Sequence, residues 1–254
     1  MRRLLAIGIL LLAPDEAAPE PAAEAEIRPV AASFEAAPAT PGTKPRGAPA
    51  TAPAATRPER GQAPALELVD VQALIPDLVL DLRYATDDNL FGEPVYPEKA
   101  RCLLLRPTAE KLARVAKRLR EEDGTRLRVF DCYRPHSVQF RLWQIMPVRG
   151  YVAPPRPGSV HNRGGAVDLT LASPEGEPLP MPTDFDELSD RAWHSYEGAT
   201  EEQKRNRARL KAAMEAEGFR AIRKEWWHYE DPEARKAPVR DVPLVRPEPS
   251  RPAR

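Results

Sequence analysis

The chain has 254 residues, a length compatible with one or two domains. Its 38 basic and 38 acidic side chains cancel, which removes the electrostatic case for a nucleic-acid partner or an anionic membrane surface. The 30 prolines are too many for one compact fold, and their uneven placement sets the organisation. Arg2 and Arg3 precede an apolar run from Leu4 to Leu12. That run is far shorter than the ~20 residues a membrane-spanning helix needs. With small residues following as far as Ala18, residues 1–18 read as a secretory signal peptide. Left uncleaved, the segment would act as a loose membrane tether. The expected address is the periplasm or cell envelope. Residues 13–65 hold 18 alanines and 11 prolines, with Phe34 the one aromatic. Such a stretch cannot bury enough apolar surface to offset its ordering entropy, so residues 19–65 read as a disordered linker. The Pro-rich residues 236–254 read as a flexible tail, which leaves 66–235 as one domain with a core.

Within that domain the elements follow in chain order. A strand is expected near Leu78 to Tyr84, then a turn through "DDNLFGEPVYP". Apolar positions from Ala109 to Leu119 recur at helical spacing, with Thr108 as the expected N-cap and Gly124 as the stop. "RLRVFDCY" alternates as a strand, "HSVQFRLWQIM" follows as a helix, and "GAVDLTLAS" is a further strand. "EEQKRNRARLKAAMEAEGF" is a charged amphipathic helix stopped by Gly218, and "KEWWHYED" is an aromatic-rich strand. This β–α–β–α–β–α–β order favours a compact α+β domain, a small central antiparallel or mixed sheet flanked by helices. A doubly wound parallel sheet is disfavoured because no Gly-rich phosphate loop follows a strand. The two cysteines, Cys102 and Cys132, flank strand-like runs. They would pair in an oxidising compartment or stay as buried thiols.

Chemistry concentrates around four histidines. His161 and Asp168 stand seven positions apart around Gly164 and Gly165, which would let the backbone turn so that both face one point. Imidazole and carboxylate are both good zinc ligands, and a catalytic zinc takes a third protein ligand plus water. His228 in "EWWHYE" would be that third ligand, with Glu225 close enough to act as general base. Positions i and i+3 point to opposite faces of a regular strand, so the two converge only on a bulged or irregular one. Arg134 in "DCYRP" is placed either to donate hydrogen bonds to a developing oxyanion or to form a structural salt bridge with Asp131 or another acid. His136 and His194 read as polar surface or loop residues.

"YAT" (84–86), "DCYRP" (131–135), "SVHNRGGAVDLTL" (159–171), "PMPTDFDE" (180–187), "NRARLKAAMEAEGF" (206–219) and "EWWHYE" (225–230) occur in this order. Together they resemble the D-alanyl-D-alanine dipeptidase family, the VanX-like zinc peptidases, over nearly all of residues 66–235. The resemblance implies a compact α+β zinc-peptidase domain holding one Zn2+ through His161, Asp168 and His228. It implies that Glu225 is the general base and acid, and that Arg134 polarises the scissile carbonyl with Asp131 supporting it. Tyr84, Ser159, Asp186 and Trp226 match positions at the small substrate pocket. The implied substrate is the free dipeptide D-Ala-D-Ala, in peptidoglycan metabolism. Two alternatives stand beside it: a zinc D,D- or L,D-carboxypeptidase trimming peptidoglycan stems, and a non-catalytic wall-binding module stabilised by zinc. The chain departs from the family pattern at "NLFG" and at Cys132, which stands where the family has a small residue.

Overall fold

The structure is a computed structural model that describes residues 66–149 and 152–246. The expected signal peptide, the linker of residues 19–65 and the last part of the tail, 247–254, lie outside the described residues. The domain is α+β. The main sheet has five strands in the order β2 (Val79–Leu80), β4 (Arg126–Asp131), β5 (Ala166–Ala172), β7 (Glu225–Glu230), β6 (Arg220–Ile222). Only the β2–β4 pair is parallel. A second, two-stranded antiparallel sheet joins β1 (Leu68–Asp70) to β3 (Leu103–Leu105).

Among the described residues three α-helices flank the sheets. In α1 (Arg106–Asp123) the residues expected at helical spacing, Ala109, Leu112, Val115, Ala116 and Leu119, are all buried. Gly124 ends the helix in the left-handed region at φ 81°, as a C-terminal glycine does. Thr108 is not the N-cap. Leu105 holds that position, because Pro107 already suits the first turn. The Thr108 hydroxyl instead donates to Asp231 across 2.9 Å. Helix α2 spans His136–Ile145. Helix α3 (Glu201–Ala216) starts on a reciprocal capping box between Thr200 and Gln203.

Strand β5 lies at the centre, and all seven of its residues are buried. Side chains alternate along it, so Leu169 and Leu171 face one way and Asp168 and Thr170 the other. The leucines join one core with Leu112 and Leu119 of α1 and Leu210 and Met214 of α3. Asp168 is therefore a charge that the period of the strand aims away from α1 and α3.

Two features differ from the sequence reading and one open alternative is resolved. The expected strand from Leu78 to Tyr84 is extended only at Val79–Leu80 and turns into a 3-10 helix at Arg83–Ala85. The two cysteines are joined as a disulfide, so the oxidised alternative holds; the bond ties the start of β3 to the end of β4. The segment after Lys236, read as a flexible tail, lies on the domain as far as the described residues extend, to Arg246. Leu244 is buried, and backbone bonds run from His136 N–H to the Arg240 carbonyl and from Arg101 N–H to the Leu244 carbonyl. The strap has no periodicity to betray it. It is held by loop donors, including an N–H at the start of α2 that the helix itself cannot satisfy.

Candidate active site

The site is built on the β5 face that carries Asp168. Asp168 stands opposite His228 of β7 on one side and Asp131 of β4 on the other. Asp131 reaches that row only because β4 is irregular. Val129 pairs with Leu169 and Asp131 with Asp168, so one extra residue lies between them. A bulge of this kind re-aims the following side chain. The second irregularity answers the geometric requirement on β7. Ala221 pairs with Tyr229 but Ile222 pairs with Glu225. The strand is therefore not regular between Glu225 and His228, and their side chains approach to 3.9 Å.

His161 arrives from a 3-10 turn, His161–Arg163, closed by Gly164 in the left-handed region at φ 74°. Gly165 serves differently from a turn residue. A Cβ there would lie 2.1 Å from the Cβ of Ala234, so the position is glycine because another segment packs on its backbone. The ligand atoms of His161, Asp168 and His228 all lie within 4.8 Å of one another, and all three residues are buried. His161 Nδ1 is 2.7 Å from the Cys132 carbonyl oxygen. A carbonyl only accepts, so Nδ1 carries the proton and Nε2 presents its electron pair. That pair faces Asp168 at 3.3 Å and His228 Nδ1 at 3.2 Å. A lone pair turned on a buried carboxylate calls for a cation between them, and two imidazoles with one carboxylate suit a divalent metal.

Above this cluster is a cavity of about 260 Å³ lined by Tyr84, Arg134, Ser159, Asp186, Glu225 and Trp227 among others. Arg134 donates to Asp131 through Nε at 3.2 Å and Nη2 at 2.7 Å. Its Nη1 donates to Gln139 at 3.0 Å, and the guanidinium lies 5.1 Å from the centre of the Tyr84 ring. Burial opposes its charge, but Asp131 together with Tyr84, Tyr96 and Asp168 outweighs that and holds the guanidinium firmly protonated. The two readings of Arg134 are thus compatible: the ion pair with Asp131 exists and aims the arginine at the cavity. Asp131 is fully buried, and its other oxygen accepts from Tyr96 Oη at 2.7 Å.

Glu225 has its carboxyl pushed up by burial, which suits a group that must take and return a proton near neutrality. Asp186 is pushed up to about 8, chiefly by burial and then by Asp168. It accepts from Tyr84 Oη at 2.9 Å. Among the described residues Asp186 is the one non-glycine with positive φ, at 62°, a backbone strain of the kind found at functional sites. Ser159 Oγ accepts from the His161 N–H at 3.1 Å, which leaves its own O–H to donate.

One expected pocket residue is misplaced. Trp226 does not line this cavity; its indole N–H donates to Thr183 at 2.8 Å and it borders a separate cavity. Trp227 takes the wall position instead. In "EWWH" the two tryptophans are indistinguishable until the strand irregularity decides their faces. Gln139 also escaped the sequence reading. It is fully buried and bridges Arg134 to the Ala153 carbonyl at 2.8 Å. A glutamine inside a helix gives no signal of that role. His136 and His194 stand outside the cavity.

A metal-ligand cluster at the floor of a small cavity, with a carboxylate beside it and a fixed arginine on the wall, is the equipment of a metal-dependent amide hydrolase. The sequence pattern of the peptidase M15 family, described as D-ala-D-ala dipeptidase, matches residues 64–244. The chain belongs to this family of metallopeptidases. It is 39% identical over 173 residues to the D-alanyl-D-alanine dipeptidase of Escherichia coli (strain K12), covering 68% of this chain and 89% of that protein. Similar matches are the D-alanyl-D-alanine dipeptidases of Enterococcus faecium, 36% identical over 59% of this chain and 83% of the relative, and Streptomyces coelicolor, 32% identical over 63% and 88%.

Proposed function

We propose that the protein hydrolyses D-alanyl-D-alanine to two molecules of D-alanine with one zinc ion per chain, in peptidoglycan metabolism. The observation that carries this reading is the convergence of His161, Asp168, His228, Glu225 and Arg134 on one cavity. The family membership supports it.

His161, Asp168 and His228 would hold the zinc, which would supply a bound water acidic enough to attack near neutral pH and a Lewis acid for the carbonyl. Glu225 takes the proton of the attacking water and returns it to the leaving amine. Arg134 donates to the carbonyl oxygen as negative charge grows there, already oriented by Asp131 and Gln139. Asp186 receives the dipeptide's ammonium, whose charge would draw the Asp186 carboxyl back toward its ionised form. The Ser159 hydroxyl donates to the terminal carboxylate. Tyr84 and Trp227 close the cavity walls against water.

A cavity of about 260 Å³ with groups for both ends of a dipeptide disfavours longer peptides, which would bury a neutral amide where an ammonium is expected. D-Alanine release should therefore be rapid from free D-Ala-D-Ala and undetectable from a pentapeptide stem ending in D-Ala-D-Ala. Faster release from the stem would replace the dipeptidase reading with the carboxypeptidase one. Binding of wall fragments without release from either would leave the non-catalytic module. We further propose that the protein is exported; the Cys102–Cys132 disulfide supports an oxidising compartment.

A further inference from the structure

The two imidazoles face the cluster through different nitrogens. His161 presents Nε2, with Nδ1 backed by the Cys132 carbonyl. His228 presents Nδ1, which lies 2.8 Å from Asp168 Oδ1. For Nδ1 to offer an electron pair to a metal, the proton of His228 must sit on Nε2, and that nitrogen needs an acceptor behind it. Glu230 is there, with Oε1 3.3 Å from His228 Nε2. It stands two positions further along β7, so the period of the strand places it on the same face. Its side chain is mostly buried, and its second oxygen is paired with Arg235.

Arg235 belongs to the 3-10 turn Pro232–Lys236. That turn can lie against the site only because residue 165 lacks a Cβ. Asp231 N–H donates to the Gly165 carbonyl at 2.8 Å and fixes the approach. Gly165, Ala234, Arg235 and Glu230 therefore form one connected support ending on His228. His161 Nδ1 is backed by the Cys132 carbonyl at 2.7 Å with the Asp131 carboxylate 3.5 Å away, and His228 Nε2 by the Glu230 carboxylate; a carboxylate behind a ligating histidine raises its basicity toward the metal.

We infer that Glu230 is a positioning residue: it holds His228 with the proton on Nε2 and Nδ1 open to the metal, while Arg235 holds Glu230. The inference rests on the metallohydrolase reading, yet its readout is metal affinity rather than turnover. The test is the zinc dissociation constant, by competition with a chromophoric chelator, of wild type, Glu230→Gln, Glu230→Leu and Arg235→Ala. Glu230→Leu, which removes the acceptor, should weaken zinc binding by about tenfold to a hundredfold. Glu230→Gln keeps an acceptor oxygen without the charge and should fall between. Arg235→Ala should weaken binding less than Glu230→Leu. Thermal melts of the metal-free proteins separate lost ligand positioning from lost folding. If Glu230→Leu does not fold, the other two variants carry the test. Wild-type affinity in every folded variant overturns the inference and leaves the metal reading intact. Failure of the wild-type protein to bind zinc sinks both.

Discussion

Glu225→Ala is expected to lower kcat for D-Ala-D-Ala by about 10²- to 10⁴-fold while one metal ion per chain is retained. The expectation follows from where Glu225 stands. Its carboxylate is 3.9 Å from His228 Nδ1, beside the ligand cluster but not among the three converging residues. It lines the cavity, where it would meet both the attacking water and the leaving amine. Burial raises its carboxyl, so it exchanges a proton more readily near neutrality than an ordinary glutamate. Glu225→Gln should match the alanine variant, because an amide keeps the shape but cannot accept the proton. Near-normal turnover in either variant removes Glu225 from the mechanism. Loss of metal in both would make it a ligand instead.

Arg134→Lys should lower kcat by about 10²- to 10³-fold, with KM much less changed. An oxyanion donor works hardest in the transition state, so its loss falls on kcat. Lysine keeps the charge but not the fork that grips Asp131 through Nε and Nη2 while Nη1 meets Gln139. Lysine is a better probe than alanine here. Arg134→Ala would leave the fully buried Asp131 without its cation, a loss of about 3–5 kcal/mol that confuses folding with catalysis. A change confined to KM would show that Arg134 binds the ground state alone.

The parts of the molecule governed by short-range periodicity were legible in the sequence. The apolar spacing of α1, the glycine at its end and the alternation of β5 all depend on residues within a few positions of one another. The identities of His161, Asp168 and His228 were legible because histidine is scarce in this chain and the resemblance spans six motifs. What brings them together was not legible. Asp131 joins the row beside Asp168 through an extra residue in β4, and Glu225 approaches His228 through an irregular β7. Both are properties of strand pairing, in β4 with the distant β5 and in β7 with the neighbouring β6, and neither register shift is marked by the spacing of side chains. The same cause exchanged the roles of Trp226 and Trp227. Glu230 was within reach, since the two-residue period from His228 marks its face. The bound strap beyond Lys236 was hidden because backbone hydrogen bonds to distant loops leave no pattern in side-chain chemistry.

Titration of metal-free protein with zinc, scored by D-alanine release from D-Ala-D-Ala, tests the central claim most directly. Activity should be absent without metal and rise in proportion to added zinc up to one equivalent per chain. Asp168→Ala should show no such rise, because it removes the carboxylate standing between the two imidazoles. Full activity in the metal-free protein, or an undiminished one-equivalent rise in Asp168→Ala, would contradict the assignment of His161, Asp168 and His228 as the metal centre.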